Sequence, residues 1–129
     1  VIYPQVDRLP AGFSRIWIEE ILRGRLGFTG AVFSDDLSME GARVCGSVAE
    51  SGQAAIDAGC DFVIVCNSAD ASDAVLGSLK WRSTPTFEDR LHRLRPQGAA
   101  LAIDVLTSSA VYRSAQADLA ALAAETPAA

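Results

Sequence analysis

Lysine is nearly missing from this sequence: Lys80 is the only one, and the 11 Lys and Arg residues form no basic run or patch. That argues against nucleic acid as a partner, because binding a phosphate backbone needs clustered cations. Long hydrophobic runs are missing too. No stretch approaches the roughly 18 apolar residues of a membrane span, and no signal-peptide pattern opens the chain, so no membrane partner is expected. Cysteine is scarce and odd in number. Cys45, Cys60 and Cys66 fit no zinc or disulfide spacing and read as reduced thiols of a cytoplasmic protein, packed as small apolar side chains. No Gly-x-Gly-x-x-Gly, P-loop, Cys-x-x-Cys or His-Glu-x-x-His pattern occurs, so neither a metal nor a cofactor is expected. What remains is ordinary globular material: 129 residues, 50% hydrophobic, with a net charge of −5 spread over scattered acids.

The positive signal is a repeat. Residues 1–3, 31–34 and 61–66 are apolar, β-prone runs whose centres lie about 30 residues apart, and helical periodicity fills the gaps. In the first gap Phe13, Ile16, Trp17, Ile21 and Leu22 share one helix face behind Ser14 as the N-cap. In the second, Val48, Ala55 and Ile56 give a weaker face, closed by Gly59 as a left-handed cap. Ser68 or Asp70 then starts a third helix, running to about Lys80. Strands alternating with helices at this period imply right-handed crossovers and a parallel sheet. The period suits a (β/α)8 barrel, in which about 250 residues make eight units. A doubly wound sheet has a similar period, so spacing alone does not choose between them.

After Trp81 the character changes. Arg82-Ser83-Thr84-Pro85 reads as a polar connection, and Thr86 followed by Asp89 reads as a helix start. Two or three helices follow, broken at Pro96 and near Ser108-Ser109. The last carries Val111, Tyr112, Ala115, Leu119 and Leu122, ahead of a frayed tail over 126–129. The expected division is therefore residues 1–81 and a helical extension over 82–129. Purely parallel sheets are normally larger and covered on both faces, and three strands alone leave two edges unpaired. With an opening at Val1 inside an apolar run, the expectation is a piece of a longer protein.

Candidate chemistry clusters at strand ends. The second strand runs into Ser34-Asp35-Asp36-Leu37-Ser38, at the face where parallel α/β folds place active sites. Alternation along a strand would send Asp35 and Asp36 to opposite sides, leaving one for function and one for a turn or cap. Asn67 ends the third strand in the equivalent position, as a ligand contact or a turn residue. Asp7 and Arg8 follow the first strand and read as loop charges. His92, the only histidine, falls among arginines on a C-terminal helix and is not assigned as an acid or base. Trp17 and Trp81 read as packing residues.

The run Gly27-Phe28-Thr29-Gly30-Ala31-Val32-Phe33-Ser34-Asp35-Asp36-Leu37-Ser38-Met39-Glu40-Gly41 closely resembles the nucleophile motif of bacterial β-N-acetylhexosaminidases of glycoside hydrolase family 3, the NagZ type. Val1-Ile2-Tyr3-Pro4, with Pro10, Ala11 and Ser14, resembles the family's preceding barrel strand and loop. Residues 58–67 resemble its following strand. The likeness covers residues 1 to about 70 and fades after Trp81. It implies an α/β fold in which this chain supplies the last three βα units of a TIM (β/α)8 barrel, followed by a helical C-terminal tail. It implies the catalytic nucleophile at Asp35 and no catalytic assignment for Asp36. It also implies retaining hydrolysis of terminal β-linked N-acetylglucosamine from muropeptides, in cytoplasmic peptidoglycan recycling. The family's Asp/His acid-base loop and most of its sugar-holding residues have no counterpart here, and Glu40 is at most a substitute. The 129-residue chain alone is therefore expected to be inactive or nearly so.

Two other classes fit parts of the pattern. One is a magnesium-dependent phosphoacceptor domain, suggested by the Asp35-Asp36 pair but lacking a strand-end lysine. The other is a non-enzymatic partial barrel that associates through its open strand edges. A magnesium titration in the presence of an acyl-phosphate donor separates the first from the glycosidase reading. No spectral or phosphorylation response is expected, and a saturable one would favour the phosphoacceptor.

Overall fold

The computed structural model describes residues 1–96 and 98–125. The chain divides into two compact units, Val1–Arg95 and Pro96–Ala129. The tail expected over 126–129 lies outside the described residues.

Helix starts in the first unit are set by hydroxyl side chains that take up otherwise orphaned backbone N–H groups. Helix α1 (Val48–Ala58) opens on a reciprocal pair. Ser47 Oγ accepts the Glu50 N–H at 3.3 Å, and Glu50 Oε2 accepts the Ser47 N–H at 2.8 Å. It closes on Gly59, whose φ of 111° is left-handed, as the sequence predicts. Helix α2 (Ala69–Ser78) starts on Ser68, which accepts the Ala71 N–H at 3.2 Å. Helix α3 (Pro85–Leu94) starts on Thr84 rather than at the Thr86 pattern. Proline is preorganised for a first helical position and has no N–H to leave unpaired, so Pro85 fixes the start two residues early.

The first expected helix is wound more loosely than a normal α-helix. After a short 3-10 turn, Ala11–Phe13, residues Ile16–Arg25 form a π-helix, with the Leu26 N–H reaching the Ile21 carbonyl five residues back at 2.9 Å. Ser14 still performs the expected capping, accepting the Trp17 N–H at 3.2 Å.

The sheet is small and parallel. Strand β1 (Phe33–Asp36) pairs with β2 (Phe62–Ile64), with α1 as the crossover between them. Three strands were expected, and the described residues contain two. Residues 1–3 form no strand beside β1, because Val6 and Asp7 donate back to the Tyr3 carbonyl at 2.8 and 3.0 Å. The chain turns there, and Ile2 bridges antiparallel to Pro10 instead. Pairing between β1 and β2 is irregular: Phe33 faces Phe62 and Asp36 faces Ile64, so β1 carries one extra residue between those points.

Beneath the sheet, Ile18, Ala55, Ala58 and Cys60 are buried together, with Phe13, Val32 and Val63 packed against them. The inner face of α1 is built from small residues, which lets neighbouring elements approach closely. A Cβ on Gly52 would lie 3.2 Å from Val75 Cγ1 of α2.

An ionic knot ties the elements together. Asp61 accepts from Arg23 of the π-helix at 2.9 Å and from Arg90 of α3 at 2.7 Å, and its Oδ2 also accepts the Val32 N–H at 2.9 Å. Arg23 donates further to the Gly30 carbonyl at 3.0 Å. The Asp61 and Arg23 side chains are 6% and 9% exposed, so these charges are held out of water. Through Arg90, helix α3 joins the first unit, which therefore runs past residue 81 to Arg95.

The second unit holds α4 (Ile103–Ser108) and α5 (Ala110–Glu125), separated at Ser109 where the sequence places a break. Ser109 Oγ accepts the Tyr112 N–H at 3.1 Å and so starts α5. Leu101, Ile103, Val111 and Leu119 are exposed. Among the described residues no helix is long and apolar enough to cross a membrane.

Removing one member of a buried ion group strands the others. Asp61→Ala leaves two arginines and the Val32 N–H without their shared acceptor and is expected to cost about 3–5 kcal/mol. Urea unfolding checks this, and a loss within 0.5 kcal/mol would be the size of an ordinary surface change.

Candidate active site

Both acids of the Ser34-Asp35-Asp36 run border one cleft of about 140 Å³, together with Pro10, Phe13 and Met39. It lies at the carboxyl end of β1. Strict alternation would have put one acid on the far side. Ser34, Asp35 and Asp36 all border it, within the stretch where the pairing with β2 is irregular, and Ser34 and Asp36 reach toward β2 while Asp35 stays exposed.

The two carboxylates are used differently. Asp36 is engaged: its Oδ1 accepts the Ser38 and Cys66 N–H groups, both at 3.0 Å, and its Oδ2 accepts the Ser38 hydroxyl at 2.6 Å. These bonds, the Ser38 hydroxyl foremost, hold its carboxyl below the ordinary value of 3.8. Asp35 is exposed, and its Oδ1 accepts the Asp36 N–H at 2.8 Å. Of the two, Asp35 is the carboxylate left exposed at the end of the strand, on a backbone held by hydrogen bonds from Ser34 and Asp36.

Ser34 is the residue that sequence reading missed. It is 5% exposed, donates to the Asp35 carbonyl at 2.7 Å and accepts the Ile64 N–H at 2.9 Å. A serine in an apolar strand gives no sequence signal of such a role beyond its position beside the acids.

The remaining candidates sit elsewhere. Asn67 follows β2 in the left-handed region at φ 59°, exposed and not part of the cleft lining. Asp7 accepts from the Ser14 hydroxyl at 2.5 Å and so braces the π-helix start, while Arg8 is exposed. Glu40 pairs with Arg43 at 3.2 Å in solvent. His92 is exposed on α3. Trp17 packs its ring 5.2 Å from Tyr3, and Trp81 stands edge-on to Phe87 at 4.9 Å, so both are packing residues. Lys80 and Trp81 border a different depression, shared with Arg82 and Arg90.

The three thiols are free. Cys60 is pushed up to about 11 by burial, so it stays protonated and packs as an apolar side chain. Burial first, then the neighbouring Asp36 and Asp35 charges, raise Cys66 as well, which makes it a poor nucleophile. Among the described residues no group of His, Cys, Asp and Glu is placed to hold a metal ion.

Residues 1–95 match the family model for the glycosyl hydrolase family 3 N-terminal domain. A β-hexosaminidase of Bordetella avium is 53% identical over 116 residues, covering 90% of this chain and 33% of that protein. The β-hexosaminidase of Methylobacillus flagellatus is 58% identical over 94 residues, covering 73% of this chain and 27% of its own length. Among solved structures, NagZ from Neisseria gonorrhoeae in complex with N-trifluoroacetyl-D-glucosamine superposes with a TM-score of 0.77 at 38% identity. That superposition covers 95% of this chain and 35% of that one. The chain thus spans about a third of the length of the curated relatives it matches.

The lowered Asp36 pKa makes its contribution to stability depend on pH. A carboxyl whose native pKa is depressed stabilises the fold above its unfolded value and loses that effect as pH falls through the native one. Asp36→Asn is therefore expected to melt below the parent at pH 7, with the gap narrowing as pH drops below about 3.8. Thermal unfolding from pH 7 to 2 reads this out. A gap that stays constant would mean the charge is not what matters.

Proposed function

This chain belongs to glycosyl hydrolase family 3, and we propose that it forms part of a retaining β-N-acetylhexosaminidase with Asp35 as the nucleophile. The observation that carries the reading is the exposed Asp35 carboxylate at the end of β1, on a backbone fixed by its neighbours. The Bordetella and Methylobacillus relatives are β-hexosaminidases, and the Neisseria structure holds an N-acylated glucosamine. Both point to a terminal β-linked N-acetylglucosamine as the carbohydrate substrate.

In this mechanism an Asp35 oxygen attacks the anomeric carbon as the glycosidic C–O bond breaks, and the leaving oxygen takes a proton from a general acid. Water then attacks the glycosyl ester at the same carbon, giving up a proton to the same residue now acting as base. The sugar leaves with retained configuration and Asp35 is regenerated. Asp36, spent on Ser38 and Cys66, takes no part in bond making. The acid/base group is proposed to lie outside these residues: His92 stands exposed on α3 and Glu40 is paired in solvent.

The architecture proposed is a portion of a TIM barrel over residues 1–81, in which β1 and β2 are neighbouring strands. Of the segment 82–129, proposed from the sequence as a helical extension, α3 packs back through Arg90 into the first unit. Asn67, at the end of β2, is a proposed sugar contact on the same face. The proposed setting is cytoplasmic, on muropeptides released in peptidoglycan recycling, as the family resemblance implies.

In the full-length protein, Asp35→Ala is expected to cut turnover of an aryl β-N-acetylglucosaminide about 10⁴-fold, the scale of a lost catalytic group. Azide should restore part of the rate by attacking in place of the missing carboxylate. The purified 129-residue chain is expected to show no Asp35-dependent turnover. Activity within tenfold of the parent in Asp35→Ala would overturn the assignment.

A further inference from the structure

We propose that Ser34 and Asp36 are positioning residues that hold open the extra-residue kink in β1 and so aim Asp35 at the anomeric carbon. The inference rests on Asp35 being the nucleophile.

Between Phe33 and Asp36 strand β1 spends three steps where β2 spends two, from Phe62 to Ile64. An extra residue in one strand breaks the ladder, bends the chain and re-aims a side chain. It also leaves backbone groups of the partner strand without their ladder acceptors, and buried N–H groups need partners. Two such groups on β2 and just beyond it are satisfied by β1 side chains instead. The Ile64 N–H goes to Ser34 Oγ at 2.9 Å, and the Cys66 N–H goes to Asp36 Oδ1 at 3.0 Å. Side chains on either side of Asp35 thus tie β1 to these two N–H groups.

Each substitute also grips Asp35 from its own side. The Ser34 hydroxyl, having accepted from Ile64, donates its proton to the Asp35 carbonyl at 2.7 Å. From the other side, the Asp36 N–H donates to Asp35 Oδ1 at 2.8 Å. Asp36 is fixed in turn by Ser38 and by the register contact in which the Leu37 N–H meets the Ile64 carbonyl at 2.9 Å. The nucleophile's backbone and one carboxylate oxygen are therefore referenced to β2 through Ser34 and Asp36, whose side chains are spent on β2 N–H groups. In reaction terms the pair acts on orientation, which appears in kcat more than in KM.

The test uses the full-length protein and three single variants: Asp36→Asn, Ser34→Ala and, in the exposed turn, Ser38→Ala. Circular dichroism and melting confirm that each is folded at the assay temperature. Asp36→Asn and Ser34→Ala are expected to lower kcat about 10- to 100-fold, the cost of a misplaced reacting group, with KM within about twofold of the parent. Ser38→Ala keeps the two backbone clamps and is expected to lower kcat only about threefold, a folded readout that stands even if the buried variants are unstable. Azide, which rescues Asp35→Ala, should rescue none of them, because their nucleophile is present. Should all three variants keep kcat within about twofold of the parent, or lose rate only in proportion to unfolded protein, the positioning role is overturned. Should Asp35→Ala itself stay active, the nucleophile assignment has failed instead, which the parallel measurement distinguishes.

Discussion

The contact on which the first unit depends is the Asp61 carboxylate held between Arg23 and Arg90. A parallel pair of four and three residues offers too few ladder bonds to fix its own register. Asp61, immediately before β2, accepts the Val32 N–H immediately before β1, so one side chain sets where the two strands begin relative to each other. Arg23 carries that restraint to the π-helix and to the Gly30 carbonyl, and Arg90 carries it to α3. Buried charges are costly unless fully paired. Here each Asp61 oxygen has a guanidinium partner, and the cost is offset by bonds to three separate elements.

That knot lies at the amino ends of the strands, and Asp35 lies at the carboxyl end of β1. The separation matters physically. A carboxylate cannot be both exposed and buried in an ion pair, so the paired charges are kept at one end of the strands and the exposed Asp35 carboxylate at the other. Parallel α/β folds make this division available because loops at the carboxyl ends of strands are free of the crossover's packing demands. The π-helix fits the same scheme. Its wider turn carries Ile18 into the core while Arg23 still reaches Asp61.

Much of this was legible in the residues. Ser14, Ser68 and Gly59 do what their chemistry suggests, because a capping hydroxyl or a left-handed glycine acts within a few residues of itself. The Ser47-x-x-Glu50 box is local in the same way. At Thr84 two local patterns compete, and Pro85 at the first helical position favours Thr84 over Thr86. What the sequence could not show is the long-range part. Nothing local marks Asp61 as the partner of Arg23 and Arg90, 38 and 29 residues away. Nor does any local pattern show that residues 1–3 turn back on Pro10 rather than pair with β1, since both outcomes suit a short apolar run.

The Asp35-Asp36 pair shows how far residue types alone can be read. Alternation along a strand was a sound rule, and it gave two separated acids. The rule assumes a regular ladder, and the extra residue in β1 removes that assumption. Once the strand bulges, Asp35 and Asp36 can border one cleft and still differ in kind, because hydrogen bonds rather than direction divide their roles. Asp36 spends its lone pairs on Ser38 and Cys66, while Asp35 receives one backbone N–H and keeps its other oxygen toward open space. Two adjacent carboxyl groups compete for the same few donors in the turn that holds them. Committing Asp36 to N–H and O–H donors leaves Asp35 with a single backbone N–H on one oxygen and an exposed carboxylate, the division that the proposed nucleophile role requires.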